Sequence, residues 1–217
     1  MGLFVYIDIG LKSETDFEVM YLGSQPGAKL LDVGCGSGKF LMRMKELGWQ
    51  SEGTEMDPKA VEFAKSNGLS VRLGELQDQK YPENYFDAIV LNSVVEHVLE
   101  PLPFLLECHR ILKNEGILVI LTPNIKSRIH NIYKDKWFPL DPPRHLHIFL
   151  PENLKALIQK SGFGNIKIQT TSRNLRSSLL GSQDIKNKGR HQMGGSQPFS
   201  AKVEAKISIL SSGHFDC

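Results

Sequence analysis

The sequence predicts a doubly wound α/β fold built on a mainly parallel sheet. Short apolar runs that read as buried strands alternate with helical segments from residue 29 to residue 170. The run 29–33 leads directly into a loop with three glycines at alternate positions, and the run 86–91 is apolar enough for a strand buried on both faces. A chain of 217 residues is long enough for one such domain with a sizeable core.

The predicted elements follow one another in the order that this fold requires. Strands are predicted at 29–33, 50–55, 69–73, 86–91, 116–121 and 165–170, and helices at 39–47, from Pro58 onward, at 103–112 and at 151–161. In the first helix Phe40, Leu41, Met44 and Leu47 form an apolar stripe at helical spacing. Pro58 stands where a proline is favoured, in the first turn of a helix, and Gly162 ends the last predicted helix.

Three segments lie outside this alternation. Residues 1–27 are predicted to be an N-terminal helix or lead-in segment that ends at the turn Gln25-Pro26-Gly27. Residues 123–150, rich in proline, aromatic residues and histidine, are too long for an ordinary loop and are predicted to form a lid or substrate wall. Residues 172–217 are predicted to be a flexible C-terminal segment, in which 202–210 reads as helix or strand. The central domain therefore spans 28–171.

Composition excludes several classes of function. The net charge is only +2 and there is no long basic run, so binding to nucleic acid is not expected. Three cysteines without a C-x-x-C spacing argue against a disulfide framework and a structural zinc site, and fit a reducing cytosol. The N-terminus does not read as a signal peptide, and no apolar run is long enough to cross a bilayer.

The loop from Asp32 to Gly38 carries the main functional signal. Glycines at positions 34, 36 and 38 let the backbone turn tightly and approach a ligand closely. A dinucleotide-binding loop would have its third glycine at position 39, where this chain has Lys39. Glu55 ends the next strand, where a carboxylate can accept hydrogen bonds from ribose hydroxyls, and Met56 beside it could pack on an adenine ring.

This order of motifs resembles the class I S-adenosylmethionine (SAM) dependent methyltransferases. The resemblance covers residues 28–171 and rests on the acidic-x-Gly-x-Gly-x-Gly loop, on Glu55 and on the motif after the fourth strand. The Glu96-His97 pair and the segment from Trp137 to His147 are typical of the branch that includes the ubiquinone-biosynthesis O-methyltransferases. At the turn before the fifth strand, Asn114 and Glu115 replace the family's usual proline and glycine.

The resemblance implies a Rossmann-like methyltransferase fold, SAM as cofactor and S-adenosylhomocysteine as product. It assigns the cofactor to the ends of four strands, through Asp32, Gly34, Cys35, Gly36, Gly38, Glu55, Met56, Glu75, Leu76, Asn92 and Ser93. The acidic loop would hold the methionine end, and Asn92 and Ser93 would face its amino group. The family's last strand is antiparallel. In this chain either 201–210 supplies it or the strand is missing.

The acceptor is expected to be a small molecule, methylated at a hydroxyl oxygen. Loss of the hydroxyl proton calls for a base, for which His145 is preferred, then His97, with His147 as a third candidate. The lid composition suits an aromatic or apolar molecule with a polar group, or a sugar. No set of metal ligands is expected, and the oligomeric state is not predicted.

Two rival interpretations stay open at this point. An NAD-dependent oxidoreductase is disfavoured by Lys39, and a binding protein that has kept the fold but lost activity is compatible with an intact loop. Methylation of a planar amino group is disfavoured because the motif at Asn92 lacks the prolines that such enzymes use. Cys35 is expected to be a small buried residue and not a nucleophile.

Overall fold

A computed structural model describes residues 2–4, 18–171 and 174–189 of the chain. Its strands are β1 (Gly2–Phe4), β2 (Lys29–Val33), β3 (Gln50–Glu55), β4 (Ser70–Leu73), β5 (Phe86–Asn92), β6 (Leu112–Leu121) and β7 (Gly164–Lys167). Its α-helices are α1 (Lys39–Glu46), α2 (Pro58–Ser66), α3 (Pro101–Ile111), α4 (Arg128–Tyr133), α5 (Pro151–Lys160) and α6 (Leu175–Lys188).

The seven strands form one sheet in the order β4-β3-β2-β5-β6-β1-β7. Every pairing in the sheet is parallel. The strand order reverses between β2 and β5, and in such sheets ligands bind at the carboxyl ends of the strands beside the reversal. The loops after β2, β3, β4 and β5 therefore meet at the edge where the sequence places the cofactor.

The core lies on both faces of the sheet because successive strand residues point in opposite directions. On one face Leu31 and Ile89 pack with buried residues of α3 and α5, such as Leu105 and Ile158. On the other face Leu30 and Val90 pack with buried residues of α1 and α2, which include Leu41, Met44, Val61 and Ala64. The continuous apolar character of β2 and β5 follows from this burial on both faces.

The N-terminal strand β1 is the main difference from the predicted fold. Residues 2–4 lie between β6 and β7, with Leu3 paired to Leu118 on one side and to Ile166 on the other. The expectation of a helix or lead-in segment was wrong for these three residues, since so short a strand shows no period of its own. They occupy the place where an antiparallel last strand was expected, and 201–210 lies outside the described residues.

Two further elements depart from the prediction. Residues 175–188 form helix α6, although 172–195 reads as a flexible segment from its polar composition. The helix is held by packing on the lid, which composition does not reveal. Strand β6 begins at Leu112 and not at 116, with a register shift opposite Phe86 and Ala88 that accommodates the expected turn.

Within the described parts of the chain, no helix combines the length and apolar character that a membrane span needs.

Candidate cofactor and lid site

The glycine loop after β2 adopts left-handed backbone conformations that its sequence makes possible. Gly34, Gly36 and Gly38 have φ of 70°, 53° and 81°, a region that residues with a Cβ rarely adopt. A Cβ on Gly38 would collide with Leu69, so this glycine also lets the start of α1 lie against the residue that precedes β4. A Cβ on Gly36 would meet no atom within 4 Å, which leaves open space beside the backbone at the tip of the loop.

Glu55 holds the loop in place from the neighbouring strand. One carboxylate oxygen accepts a hydrogen bond from the Gly36 N–H at 2.8 Å, and the other accepts from Met56 and Asp57 at 2.7 and 2.9 Å. The end of β3 supports the same loop, because the Thr54 carbonyl accepts from the Gly34 N–H at 2.8 Å. Glu55 is thus a structural clamp as well as the predicted ribose ligand, and it stays partly exposed.

Asp32 is buried at the root of the loop, with 4% of its surface exposed. Burial raises the pKa of its carboxyl group to about 8, and the negative charge of Glu55 contributes to the rise. A nearby positive charge would stabilise the ionised form of this buried carboxylate and lower its pKa. The SAM sulfonium and ammonium groups supply such charges, so the acidic position fits the cofactor that the motif implies.

Cys35 faces into the protein. Its sulfur packs where a Cβ on Gly53 would stand, and 9% of the residue is exposed. Burial raises the pKa of the Cys35 thiol to about 12, with the charges of Asp32 and Glu55 adding to the effect. A thiol held neutral in this way is a packing residue, as its small size in the loop predicted.

The predicted adenine side lies beyond β3 and β4. The Met56 side chain is 65% exposed and Glu75 is exposed, so both are free to contact a ligand. Leu76 has 1% of its surface exposed and belongs to the core, which leaves its backbone N–H as the group that could face adenine. Gly74, with φ of 115°, donates its N–H to the Glu55 carbonyl and brings this turn beside the clamp.

Asn92 and Ser93 follow β5 at the same edge of the sheet. Both are exposed, and Ser93 has φ of 57°, uncommon for a residue other than glycine. The Ser93 N–H donates to the Leu121 carbonyl at 2.8 Å, which fixes this turn against the end of β6. Left-handed conformations at non-glycine residues concentrate at functional sites, and this one stands at the carboxyl edge of a central strand.

The lid brings two of the predicted histidines together. The rings of His97 and His145 lie edge to face with centroids 4.6 Å apart. His97 Nδ1 is 2.9 Å from the Arg144 carbonyl oxygen, and His145 Nδ1 is 2.6 Å from the Pro139 carbonyl oxygen. His147 is placed differently, with its ring beside Phe149 and Nε2 at 3.4 Å from the Leu99 carbonyl.

Glu96 is the residue of this region whose importance the sequence did not reveal. It is fully buried, and Thr122 donates a hydrogen bond to one carboxylate oxygen at 2.9 Å. The other oxygen is buried without a hydrogen-bond partner. Burial raises the pKa of the Glu96 carboxyl group, while the Thr122 hydroxyl and the two imidazoles lower it. The feature of the sequence that could have indicated a buried carboxylate is the position of Glu96 among the apolar residues Val94, Val95 and Val98.

The lid aromatics anchor the lid to α6. Trp137 is 3% exposed and donates from Nε1 to the Ser178 hydroxyl at 3.1 Å. The Phe138 N–H donates to Ser182 Oγ at 2.8 Å, and a Cβ on Gly181 would collide with the Phe138 ring. Trp137 is therefore part of a small core of the lid, together with Ile129 and Leu179, and does not line an acceptor pocket.

Comparison with known proteins agrees with this geometry. A family model described as a methyltransferase domain matches residues 13–168. The ubiquinone biosynthesis O-methyltransferase of Cereibacter sphaeroides is 30% identical over 169 residues, which cover 72% of this chain and 68% of that protein. The protein of the same name from Roseobacter denitrificans is 28% identical with the same coverage.

Solved structures share the fold. A SAM-dependent methyltransferase from Archaeoglobus fulgidus superposes with a TM-score of 0.58 at 23% identity, covering 87% of this chain and 79% of that one. The [4+2]-cyclase SpnF superposes with a TM-score of 0.51 at 26% identity, covering 69% of this chain and 56% of that one. The fold is therefore also found in a protein named for a different reaction.

Proposed function

Because the chain belongs to the methyltransferase domain family and depends on SAM, we propose that it methylates a hydroxyl oxygen of a small molecule. The observation that carries the proposal is the placement of two histidines of the lid region, His97 and His145, side by side next to the loop that follows β5. The curated relatives named above are O-methyltransferases, which supports oxygen as the acceptor atom.

The residues of the cofactor edge have separate tasks in this proposal. Bound SAM supplies an electrophilic methyl group on a sulfonium, so the protein's main task is to align the two reactants. Alignment of this kind can contribute on the order of 7–11 kcal/mol to lowering the barrier. Asp32 and the glycine loop hold the methionine end, Glu55 holds the ribose, and Asn92 and Ser93 face the amino group.

The histidines act on the acceptor. Both Nδ1 atoms lie against backbone carbonyl oxygens, which only accept hydrogen bonds, so each neutral ring carries its proton on Nδ1. Nε2 of each ring then keeps a lone pair that can take or attract a hydroxyl proton. His145 is the preferred group because it belongs to the lid, where the acceptor would be enclosed, and His97 is the second.

A matched set of acceptors tests the oxygen assignment. The protein is incubated with SAM carrying a trideuterated methyl group and with pairs of small molecules that differ only in a hydroxyl or an amino group. Mass spectrometry should detect labelled ethers formed from the hydroxyl members. Label on the amino members alone would contradict the proposal. Bound SAM without transfer to any member would favour the alternative of a binding protein that has lost activity.

A further inference from the structure

The edge of the sheet assigned to adenine carries two exposed apolar side chains. Met56 directly follows Glu55 in the chain and is 65% exposed, and Leu73, which pairs with Glu55 across β3 and β4, is 52% exposed. Single exposed apolar residues are common on protein surfaces. These two, however, stand beside one carboxylate at the carboxyl ends of adjacent strands, where ligands of this fold bind. A flat apolar ring bound there would cover a thioether that water reaches in the free protein.

The backbone of Met56 is fixed by the same clamp that shapes the glycine loop. The Met56 N–H donates to Glu55 Oε1 at 2.7 Å, and the other carboxylate oxygen accepts from the Gly36 N–H at 2.8 Å. The next residue, Asp57, donates to the same Oε1 and caps α2 through its side chain. A chemical change of the Met56 thioether would therefore take place beside the group proposed to hold the ribose.

Exposure and position distinguish Met56 from the other methionines that the structure describes. Met44 and Met20 are buried, with 0% and 5% exposed, whereas Met42 on α1 is 47% exposed. Oxidation of sulfur side chains depends on their exposure, so Met42 and Met56 are the two accessible thioethers of the described residues. Met42 lines a surface groove with Asn67 at the end of α2, whereas Met56 precedes the start of that helix.

We propose that Met56 is a redox modification site, at which oxidation by a hydroperoxide weakens cofactor binding and from which bound cofactor excludes the oxidant. A sulfur lone pair attacks one peroxide oxygen, the O–O bond breaks and an S–O bond forms. With hydrogen peroxide the second oxygen leaves as water after it takes up the proton of the first. Sulfur loses two electrons, the peroxide gains them, and the product is methionine sulfoxide, which methionine sulfoxide reductases convert back.

The sulfoxide is a poorer surface for adenine than the thioether is. A thioether sulfur is apolar and polarizable, and its contact with an aromatic ring contributes up to about tenfold to an affinity. The sulfoxide oxygen is polar, and covering it with a ring would remove its water without offering a hydrogen-bond donor in return. The Glu55 carboxylate next to it only accepts hydrogen bonds and so does not compensate.

The modification would regulate the cofactor site of the proposed function. It rests on the proposed placement of adenine beside Met56 and not on the identity of the acceptor. Protein without cofactor would be oxidised and would lose affinity for SAM, whereas protein that holds SAM would be protected. Exposure to peroxide would therefore reduce methyl transfer most strongly when SAM is scarce.

Oxidative footprinting tests the protection. The full chain is treated with hydrogen peroxide with and without saturating SAM, quenched with catalase, digested and analysed by mass spectrometry. Oxidation should be slower at Met56 when SAM is present, while the rate at Met42, which is the internal control, should not change. Equal rates at Met56 with and without SAM, or equal slowing at Met42, would overturn the proposal.

Calorimetric titration with S-adenosylhomocysteine tests the effect on binding. Catalase and desalting come first, because the thioether of this ligand would itself react with peroxide. The Kd of oxidised wild type should rise by about two- to tenfold. Both methionine sulfoxide reductases, one for each sulfoxide epimer, should restore the Kd when a thiol reductant is supplied, and the thiol alone should not. An unchanged Kd, or restoration by the thiol alone, would overturn the proposal.

Two variants assign the effect to one residue. Each variant is compared with its own untreated sample, so any change that the substitution itself makes to the affinity cancels. Peroxide should leave the Kd of Met56→Leu unchanged and should raise that of Met42→Leu as it does in the wild type. A full response in Met56→Leu would overturn the proposal. Methyl transfer to amines alone would overturn the hydroxyl acceptor and leave this redox site standing.

Discussion

At the scale of single residues, the cofactor edge is built from two carboxylates with different surroundings. Glu55 is partly exposed, and its carboxylate accepts hydrogen bonds from three backbone N–H groups. Asp32 is buried, and its pKa is raised to about 8. One carboxylate therefore shapes the loop permanently, while the other responds to the charge of what binds beside it.

The raised pKa of Asp32 predicts that SAM affinity depends on pH. Below pH 8 the carboxyl group is largely protonated, and binding of the cationic cofactor must release that proton. Affinity measured by calorimetry should therefore increase as the pH rises from 6 to 8, by at most about tenfold per unit for one proton. Asp32→Asn should remove this dependence, and a dependence that persists in the variant would contradict the assignment.

The same pKa makes a prediction for stability in the absence of cofactor. Because the folded pKa lies above the ordinary value of 3.8, the folded state binds more protons than the unfolded state between about pH 4 and 8. The contribution of Asp32 to the free energy of unfolding is present below this range and is lost as the pH rises through about 8. Urea unfolding should therefore show Asp32→Asn gaining stability relative to the wild type between pH 6 and 9. If the free energies of unfolding of the two proteins changed with pH in parallel, the raised pKa of Asp32 would be contradicted.

At the residue scale, the sequence predicted the backbone turn of the glycine loop. The glycines at 34, 36 and 38 adopt left-handed φ values that few other residues tolerate. Their spacing in the sequence therefore predicts the tight turn of the loop. The burial of Glu96 could not be predicted from the sequence, because it depends on contacts with Thr122 and the lid, which are distant in sequence.

At the scale of elements, α6 and the lid depend on each other. The helix contributes Ser178 and Ser182 as hydrogen-bond partners for Trp137 and Phe138, and its Gly181 lets the Phe138 ring approach. These contacts join residues 41 and 44 positions apart, so neither segment shows the packing in its own sequence. Helix α1, with its apolar stripe, and strand β5, with its continuous apolar run, were predicted to within a few residues.

Gly181→Leu tests the packing of α6 on the lid. Leucine has a higher helix propensity than glycine. If amide hydrogen exchange in 175–188 becomes faster in this variant, the cause is therefore the collision with Phe138. Overpacking of this kind typically costs about 1–3 kcal/mol. Hydrogen exchange should become faster in α6 and around Trp137, whereas the exposed substitution Asn187→Ala should leave both segments unchanged. Unchanged exchange in Gly181→Leu would show that the contact does not hold the helix.

At the scale of the whole molecule, the sheet is completed by the first residues of the chain. Strand β1 lies between β6 and β7, where the resemblance led us to expect an antiparallel strand from the C-terminal segment. Pairing of this kind joins residues more than a hundred positions apart, as Gly2 and Ile117 show, and leaves no local pattern in the sequence. The five strands that lead into the proposed cofactor and acceptor loops do have local patterns, and they were predicted.

Leu3→Pro tests this completion. An interior strand uses its N–H groups in the sheet, and proline removes one of them. The partner carbonyl that is left unpaired costs about 1–3 kcal/mol. The midpoint of urea unfolding should fall for Leu3→Pro and stay close to that of the wild type for Leu3→Ile. Equal midpoints for all three proteins would mean that residues 2–4 do not hold β6 and β7 together.

The central claim is that the loop from Asp32 to Gly38, clamped by Glu55, binds SAM. Calorimetric titration with S-adenosylhomocysteine tests it most directly, since the product binds the same edge without turnover. The wild type and the exposed control Glu62→Gln should bind it, and Glu55→Gln should bind at least about tenfold more weakly because it loses charge-assisted hydrogen bonds. Failure of the wild type to bind S-adenosylhomocysteine, or equal affinity in Glu55→Gln, would contradict the account.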